Sequence, residues 1–580
     1  MLRVWKSGAG APQSKTLRRF RRWVFVLLNR GRIAHHAGLK KFSFHPVAAV
    51  RPLLAVGGGI LLSIAFPGVG LAGAAWVAPG VILFSAIGCR GARAFRLGYL
   101  GGFAHFLSSL YWLVAMPDKV WGIPVGPICA WLALSAYCAL FPGVWVWLCW
   151  RIWAPVREEI PGGTALNQFF AAGLIRRGGW AFHAAVVWVA LEMARGTLLT
   201  GFPWNFVGAS QYKMLPVIQI ASVTGVYGVS FMVVWTAVAL VMALISLVRQ
   251  PGRVVWGEAG TPLLIAVIVA TFGTTRLTAI RPAAAELKVA MVQPAFEQTL
   301  IWSSAQDKTR LEKVIALSAQ ALAGEPDLLL WPEGAVPPIL SADYAQLAGL
   351  LDLARHKTWL AFSTDDEETA QGRAEVFNSS VLLSPAGGGA GVYHKRRLVI
   401  FGEYVPWWLS FLKWVTPIDG AFTPGRRPVQ FVVRNPDARF SVLICFEDMF
   451  PDEARQHVQL DTDFLVNLTN DGWFGNGVEQ WQQAAGAVFR AVENGVPLVR
   501  CTNNGLTCWI DAQGRMQELF SPNGNVYGEG TTTVKIPLRS GPEAAPTFYN
   551  MHGDWFAWSC CGLAFCLGAL SIRRLPSVVD

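Results

Sequence analysis

The apolar residues of this chain are gathered into long runs that short polar and basic segments separate. A helix must hold about 20 apolar residues to cross a bilayer. We identify eight runs near that length, at about 47–66, 70–89, 97–116, 124–150, 180–200, 221–248, 261–275 and 555–572. Because unpaired backbone groups cannot face lipid, each run is predicted to be a membrane-spanning helix. The seventh run is the shortest of the set.

The segment between the seventh and eighth runs has a different pattern, in which short β-rich stretches alternate with helical ones. Predicted strands are Leu287–Gln293, Asp327–Trp331, Trp359–Ser363, Ser379–Leu383, Phe440–Cys445, Phe464–Leu468 and Leu498–Thr502. Predicted helices are Gln306–Leu322, Ala342–His356 and Gln480–Asn494. Such alternation predicts a layered α/β domain.

These patterns divide the chain into successive regions. We predict a basic extension at 1–46, a bundle of seven membrane spans at 47–280 and an α/β domain at 287–547. An eighth transmembrane helix at 555–572 and a short tail at 573–580 complete the chain. The α/β domain is therefore an insertion between two helices of a membrane bundle.

Composition agrees with a membrane protein. Of the 580 residues, 53% are hydrophobic and only 15% are charged, whereas a soluble domain carries about 25% charged residues. This excludes a disordered protein, a coiled coil and a collagen-like fibre. The net charge of +12 suggests nucleic acid or anionic lipid as a partner. No RNA-binding signature accompanies the basic residues, so we predict no nucleic-acid partner.

The basic residues instead indicate the orientation of the helices, because cytoplasmic loops carry an excess of Lys and Arg. Alternate segments are basic: the 1–46 arm and the loops or tail with Arg90, Arg93, Arg96, Arg151, Arg157, Arg176, Arg177, Arg249, Arg253, Arg573 and Arg574. The intervening loops hold little more than Lys119 and Lys213. Both termini are therefore predicted to be cytoplasmic, and the α/β domain to lie on the outer side of the membrane.

Three stretches of the α/β domain carry candidate chemistry at predicted strand ends, where sites of such folds lie. They are Leu330-Trp331-Pro332-Glu333, Tyr393-His394-Lys395 and Leu443-Ile444-Cys445-Phe446-Glu447-Asp448. Taken alone, each stretch favours a structural interpretation: a surface glutamate in a loop for Glu333, a solvated basic loop for Lys395-Arg396-Arg397, and a buried structural cysteine for Cys445. The start of a helix after Cys445 is expected to favour its thiolate form.

Together, Glu333, Lys395 and Cys445 make a chemically complete set. A carboxylate can take the thiol proton as general base, and an ammonium can stabilise an oxyanion. A Cys–His pair with His394 is the competing scheme, but nothing in the sequence brings His394 beside Cys445. No cysteine spacing resembles a zinc site, so we predict neither metal nor cofactor.

These three residues, in this order, resemble the Glu-Lys-Cys triad of the nitrilase, or carbon–nitrogen hydrolase, superfamily. With its membrane spans, the chain resembles the bacterial apolipoprotein N-acyltransferase family over about 47–575. Further matching stretches are Thr200-Gly201-Phe202-Pro203-Trp204, Phe401-Gly402-Glu403-Tyr404-Val405-Pro406, Asn470-Asp471-Gly472-Trp473-Phe474-Gly475 and Arg500-Cys501-Thr502-Asn503-Asn504-Gly505. Phe446 stands where the family commonly has Tyr, Ile400 where it often has Pro, and Gly334 where Ser or Thr is frequent.

The resemblance implies a multi-pass bundle of about eight spans carrying a four-layer (αββα) nitrilase-like domain in a bacterial inner membrane, with that domain on the periplasmic side. It implies transfer of an acyl chain from a phospholipid to the N-terminal amine of diacylglyceryl-cysteine on apolipoproteins, through a thioester on a catalytic cysteine. The enzyme is expected to be a monomer. Supporting or substrate-binding roles are expected for Glu403, Glu447, Trp302, Asn378 and Trp204, with Glu403 and Glu447 holding Lys395.

Two other classes of function remain open at this point. A membrane-tethered amidase that hydrolyses a C–N bond would share the same triad. A transporter or scaffold is disfavoured because all three triad positions are present and the spans lack acid–base pairs at mid-depth. Glu192 and Arg195, near the outer end of the fifth span, are the exception, and a local ion pair between them is expected.

Overall fold

The computed structural model describes residues 46–117, 125–152, 165–249, 256–278, 285–301, 303–370, 373–415, 421–521, 525–539 and 545–572. The predicted basic extension, apart from residue 46, and the predicted tail at 573–580 lie outside the described residues.

The regular secondary structure of the membrane part is helical in the described residues. Its α-helices are α1 (Pro46–Ser63), α2 (Ala78–Ser85), α3 (Gly91–Ser109), α4 (Gly126–Arg151), α5 (Ala165–Ala171), α6 (Leu174–Thr197), α7 (Leu215–Ile218), α8 (Ala221–Arg249) and α9 (Trp256–Thr278). Short 3-10 helices lie at Ala72–Trp76, Tyr111–Ala115, Leu198–Thr200 and Val207–Gln211.

Four helical segments of the described chain are long and apolar enough to span a membrane: Gly126–Arg151, Leu174–Thr200, Ala221–Arg249 and Gly257–Thr278. Shorter apolar helices lie at Val50–Ser63, Ala72–Ser85 and Trp555–Leu570. The third predicted run, 97–116, lies in α3 and the 3-10 helix that follows it. Helix α3 begins earlier, at Gly91, so it includes Arg93 and Arg96, which lower its hydropathy. Four of the eight predicted spans thus meet this criterion, and the other four stay predictions.

The second predicted span differs most from a single transmembrane helix. The chain turns after α1 at Gly68 and Gly70, whose φ angles of 115° and 73° suit glycine. It then continues as a 3-10 helix and the eight-residue α2. A Cβ on Gly80 would lie 2.4 Å from the carbonyl oxygen of Ala237, so α2 packs directly against the backbone of α8. This segment is therefore largely packed inside the bundle.

The inserted domain contains two six-stranded sheets. The strands are β1 (Glu286–Gln293), β2 (Leu328–Leu330), β3 (Trp359–Ala370), β4 (Arg373–Leu383), β5 (Gly389–His394), β6 (Gln430–Val433), β7 (Ala438–Ile444), β8 (Phe464–Thr469), β9 (Leu498–Thr502), β10 (Cys508–Ile510), β11 (Met516–Glu518) and β12 (Gly530–Pro537). The first sheet has the order β12-β1-β2-β3-β4-β5, and the second has the order β11-β10-β9-β8-β7-β6. Strands β1 to β3 and β7 to β9 run parallel within their sheets.

The remaining α-helices are α10 (Gln298–Ile301), α11 (Asp307–Leu322), α12 (Tyr344–Leu350), α13 (Leu353–His356), α14 (Pro451–Gln456), α15 (Glu479–Asn494), α16 (Phe548–His552) and α17 (Trp555–Ile572). Side chains of both sheets, such as Met291 and Val442, share one core between the sheets. Val314 and Leu347 from α11 and α12 cover the outer face of the first sheet. Helix α15 covers the second sheet, which confirms the predicted αββα layers.

Helix α15 also joins the domain to the bundle. Gln482 accepts hydrogen bonds at Oε1 from Nε1 of Trp204 (2.7 Å) and of Trp112 (3.2 Å), and donates from Nε2 to the Ser109 carbonyl (3.0 Å). All these groups are buried. One glutamine therefore satisfies two indole N–H groups of the bundle that have been removed from water.

Most predicted elements are confirmed within a few residues. Strands β3 and β4 are longer than predicted, since β3 continues to Ala370 and β4 begins at Arg373. Two further elements are modified. The strand predicted at Phe440–Cys445 ends at Ile444, and Cys445 begins a short 3-10 helix. The helix predicted at Ala342–His356 breaks at Asp352, whose φ is 49°, and becomes α12 and α13.

The predicted ion pair between Glu192 and Arg195 does not form. Glu192 Oε1 instead accepts from Trp188 Nε1 (2.9 Å) and from the Val207 amide (2.7 Å). Arg195 donates from Nη1 to the carbonyls of Phe202 and Trp204. Both charged side chains therefore hold the loop that follows α6 rather than each other.

Candidate active site

The three predicted catalytic residues lie at the carboxyl ends of strands from both sheets. Glu333 follows β2 and Lys395 directly follows β5, both in the first sheet, whereas Cys445 directly follows β7 in the second. Lys395 Nζ is 3.4 Å from Glu333 Oε1, and the charges of both residues act on the thiol of Cys445. The fold therefore brings the predicted set into one site.

Lys395 is held between two carboxylates. Its side chain is 1% exposed, and Nζ lies 2.7 Å from Glu403 Oε1, closer than to Glu333. Burial opposes the charge, but the carboxylates of Glu333 and Glu403 raise the pKa of Lys395 well above its ordinary value. The ammonium form is therefore retained at neutral pH, and the predicted role of Glu403 as an anchor of Lys395 has a direct geometric basis.

Asn378, on β4, links the two carboxylates. Its Nδ2 donates to Glu333 Oε1 and to Glu403 Oε1, each at 2.9 Å. Glu403 Oε2 in turn accepts from the Val399 amide at 2.8 Å. Glu333 Oε2 is buried and has no hydrogen-bond partner among the described residues. The site thus keeps one oxygen of Glu333 available for a proton.

Cys445 sits at a sharp turn of the backbone. Its φ is 52°, in the left-handed region, and its carbonyl accepts from Asn467 Nδ2 and Gln483 Nε2, each at 2.9 Å. Burial and then the Glu333 carboxylate raise the pKa of the Cys445 thiol well above its ordinary value, although the Lys395 ammonium lowers it. The expectation of a thiolate at this position is therefore wrong: the resting sulfur is a thiol and needs a base.

Glu447 does not contact Lys395, so that expectation is also wrong. Its fully buried carboxylate accepts from the amides of Arg396 (2.7 Å), Arg397 (3.0 Å) and Ile444 (2.8 Å) and from the hydroxyl of Tyr393 (2.8 Å). These donors come from the end of β5 and the end of β7. Glu447 therefore links the backbone next to Lys395 with the backbone next to Cys445, and it makes no hydrogen bond to the side chain of either residue.

Trp204 packs beside the residue that follows Cys445. Its ring is 3% exposed and stacks on Phe446, with centroids 6.0 Å apart and planes at 26°. Phe446 also meets Phe450 edge-on at 5.0 Å. Trp204 is thus part of a buried aromatic wall rather than an open contact surface for an acyl chain. Trp302 lies outside the described residues.

His394 belongs to a different cluster. Its ring stacks on Phe377 at 4.1 Å, and Nε2 lies 3.1 Å from Asp366 Oδ2. The ligand atoms of Asp366, Glu368 and His394 all lie within 4.8 Å of one another, so a cation would fit there. No contact of His394 with Cys445 occurs among the described residues, which leaves the competing Cys–His scheme without support.

Sequence reasoning missed the two amides that hold the Cys445 carbonyl. Asn467 lies inside the otherwise apolar strand β8, and Gln483 lies on the buried helix α15. A polar side chain in a fully buried strand requires a partner, and this was the available signal. Asp365 was missed as well: burial, with the nearby Glu333 and Glu403, raises the pKa of its carboxyl to about 6.

Comparisons with known proteins divide the chain at the same place as the fold does. Residues 58–239 match the family model described as the apolipoprotein N-acyltransferase N-terminal domain, and residues 288–545 match the carbon-nitrogen hydrolase model.

Relatives match most of the chain. The apolipoprotein N-acyltransferase of Geobacter metallireducens is 34% identical over 531 residues, which cover 90% of this chain and 95% of the relative. That of Brucella melitensis is 31% identical over 442 residues, which cover 73% and 76%. A crystal structure of an amidase from Nesterenkonia sp. is 19% identical, covers 45% of this chain and 94% of its own, and gives a TM-score of 0.33.

Proposed function

Because this chain belongs to the apolipoprotein N-acyltransferase family, and is thus an enzyme of lipoprotein N-acylation in the bacterial inner membrane, we propose how it works. A fatty acyl chain passes from a membrane phospholipid to Cys445 and then to the N-terminal amine of diacylglyceryl-cysteine on an apolipoprotein. Glu333 is the general base, and Lys395 stabilises the oxyanions.

One observation carries this assignment of roles. Glu333 has a buried Oε2 without a hydrogen-bond partner among the described residues, while its Oε1 is held by Asn378 and Lys395. A proton acceptor therefore lies in the same site as a thiol whose pKa burial has raised and a lysine that stays charged. A thiol of this kind becomes a nucleophile only when a neighbouring base removes its proton.

In the first half of the reaction, Glu333 takes the proton of the Cys445 thiol while the sulfur attacks the ester carbonyl carbon. A carbon–sulfur bond forms, and the carbonyl oxygen becomes an oxyanion that the Lys395 ammonium stabilises, with backbone amides after Cys445 as helpers. The ester carbon–oxygen bond then breaks. Glu333 returns its proton to the departing oxygen, so a lysophospholipid leaves and a thioester remains.

In the second half, the amine of the acceptor attacks the thioester carbonyl. Glu333 takes a proton from the amine, and the carbon–nitrogen bond forms as the carbon–sulfur bond breaks. The proton passes from Glu333 to the sulfur, which restores the thiol. The products are an amide and the starting enzyme, and the ester donor supplies the driving force without a cofactor.

The donor and acceptor require a site at the outer lip of the membrane, so we assign the catalytic domain (287–547) to the periplasmic side and both termini to the cytoplasm. The distribution of Arg and Lys between alternate loops supports this orientation. The 3-10 helix Trp407–Val415, which begins four residues after Glu403, carries Trp407, which is 86% exposed, and Phe411, which is 66% exposed. Exposed aromatic side chains of this kind suit the lipid interface, and we propose that a monomer suffices.

The decisive experiment supplies the full-length protein in phospholipid vesicles with a diacylated lipoprotein peptide. A third acyl chain on the peptide, detected by mass spectrometry, is expected with the native protein and not with Cys445→Ala. Without peptide, the protein itself is expected to gain one acyl mass that neutral hydroxylamine removes. Release of ammonia from soluble amides, without acylation of the peptide, would instead support the amidase alternative.

A further inference from the structure

A cluster of buried charges lies behind Cys445 and has no part in the acyl transfer steps described above. Arg500 on β9 is fully buried, as is Asp448 in the short 3-10 helix that Cys445 begins. Asp471 and Glu479 are 2% and 3% exposed. Charges in such a place are costly unless each is paired and hydrogen-bonded. The presence of these ionisable side chains beside the nucleophile therefore needs a physical explanation.

Arg500 is the centre of this cluster. Its Nη1 donates to Asp448 Oδ2 at 2.7 Å and to Asn467 Oδ1 at 3.2 Å. Its Nη2 donates to both carboxylate oxygens of Asp471, at 3.1 Å and 3.2 Å. The guanidinium thus binds two carboxylates and one amide at the same time, which its planar fork of donors allows.

Both amides that hold the Cys445 carbonyl are connected to this guanidinium. Asn467 is bound directly through its Oδ1. Gln483 donates from Nε2 both to Asp448 Oδ1, at 2.8 Å, and to the Cys445 carbonyl, at 2.9 Å. Arg500 therefore reaches the backbone of the nucleophile by two routes, one through Asn467 and the other through Asp448 and Gln483.

The chemistry of the donors fixes which way the amides point. A guanidinium has no acceptor, so the oxygen of Asn467 must face Arg500 and its NH₂ group must face the Cys445 carbonyl. An ionised carboxylate has no donor, so Asp448 must receive the NH₂ group of Gln483. Reversing either amide would place two acceptors or two donors against each other. Arg500 thereby determines the orientation of both groups that hold Cys445.

Cys445 has a particular need for such support. Its φ of 52° lies in the left-handed region, where an L-residue with a side chain is strained. Strained residues at active sites persist only where the surroundings over-determine their conformation. Two hydrogen bonds to one carbonyl oxygen oppose rotation of the peptide group after Cys445. That rotation would carry the sulfur away from Glu333 and Lys395.

We propose that Arg500 is a positioning residue for the acyl transfer, because it orients Asn467 and Gln483 so that they hold the Cys445 carbonyl and keep the sulfur directed at Glu333. This inference rests on the proposed role of Cys445 as the nucleophile. Burial raises the pKa of Asp448 to about 6, and the Arg500 guanidinium opposes that rise.

The sharpest test is Asn467→Asp, because it retains the partner of Arg500 and removes the donor to the Cys445 carbonyl. A carboxylate at this position accepts from Arg500 but cannot donate to Cys445. Misplacement of a catalytic group by about 1 Å can cost about 100-fold in rate. We therefore expect kcat for acyl transfer to the peptide to fall by about that factor, while KM for the peptide changes by less than about threefold.

Arg500→Gln and Arg500→Lys test the centre of the cluster. Arg500→Gln should lower kcat and change the rate at which iodoacetamide alkylates Cys445 at fixed pH, because the sulfur would no longer lie beside the charges of Glu333 and Lys395. Arg500→Lys should recover only part of kcat, because a point charge cannot bind all three partners. The control is Arg490→Gln, since Arg490 is also buried and paired with a carboxylate, Glu493, but does not reach the Cys445 carbonyl. It is expected to lower the unfolding temperature and keep kcat within about threefold.

Failure of the Arg500 inference and failure of the proposed function give different results. If folded Asn467→Asp has wild-type kcat and a wild-type alkylation rate, the inference is wrong, even if Arg500→Gln fails to fold. If the native protein transfers no acyl chain to the peptide, the proposed function fails first, and the alkylation rate of Cys445 still reports whether Arg500 positions the sulfur. A loss of kcat in Arg490→Gln equal to that in Arg500→Gln would reduce the effect to general destabilisation and overturn the inference.

Discussion

Lys395 Nζ lies 2.7 Å from Glu403 Oε1 and 3.4 Å from Glu333 Oε1, so the ammonium is bound more closely to the carboxylate that is not the proposed base. This asymmetry has a chemical advantage. A base that is tightly bound to a cation is a weaker proton acceptor, because the cation stabilises its ionised form. Glu403 therefore anchors Lys395, while Glu333 keeps a buried Oε2 without a hydrogen-bond partner among the described residues.

The first prediction concerns that anchor. Glu403→Gln should leave Lys395 without its closest charged partner and lower kcat for acyl transfer by about 10- to 100-fold, since a hydrogen bond to a charged group contributes about 1.5–3 kcal/mol. Glu375→Gln is the matched control, because Glu375 pairs with the exposed Arg426. Steady-state acylation of the lipoprotein peptide gives both values, and wild-type kcat in Glu403→Gln would contradict the prediction.

The second prediction concerns the pH dependence of Cys445 alkylation. The Glu333 carboxylate raises the pKa of the thiol and the Lys395 ammonium lowers it. Glu333→Gln should therefore move the alkylation profile to lower pH, and Lys395→Gln should move it to higher pH, because the thiolate is the form that reacts. Both variants should be inactive in acyl transfer. Shifts in the same direction, measured with iodoacetamide between about pH 6 and 11, would contradict this assignment.

The third prediction concerns Glu447. Both oxygens of its carboxylate act as hydrogen-bond acceptors, and their donors include the backbone amides of Ile444, Arg396 and Arg397. The amide of Glu447→Gln has one acceptor oxygen and would turn an N–H group toward one of these donors. A buried donor left without its acceptor costs about 1–3 kcal/mol, so the variant should unfold at a lower temperature. Glu312→Gln, which removes one partner of an exposed ion pair, should change stability little.

The fourth prediction concerns the junction between the domain and the bundle. Gln482→Leu leaves the indole N–H groups of Trp204 and Trp112 buried without their acceptor. Each unsatisfied group costs about 1–3 kcal/mol, so the unfolding temperature in detergent should fall. Gln517→Leu, at an exposed position of β11, is the control. An unchanged unfolding temperature in Gln482→Leu would show that this contact does not join the two parts.

The strands and helices that the sequence predicted correctly are those with long apolar or periodic patterns, such as Leu287–Gln293 and Gln480–Asn494. Short or partly exposed strands were missed: β10 has three residues, and β12 alternates with polar Thr and Lys. Their pairing depends on neighbours distant in the chain, which a local pattern does not contain.

The same limit applies to the site. Glu333, Lys395 and Cys445 could be identified because together they form a chemically complete set at predicted strand ends and resemble a known triad. Asn467, Gln483 and Arg500 act through contacts between β8, α15 and β9, which only the fold brings together. The positive φ of Cys445 also has no local signature, because no glycine marks the turn. The thiolate prediction failed because burial and a carboxylate outweigh a short helix.

Strand β1 pairs with β12 along its whole length, with Glu286 opposite Pro537. The polypeptide thus enters and leaves the catalytic domain at neighbouring points. A domain whose first and last strands pair with each other can be inserted into a single loop without displacing the helices on either side. The catalytic domain can therefore be accommodated as one unit between two helices of a membrane bundle.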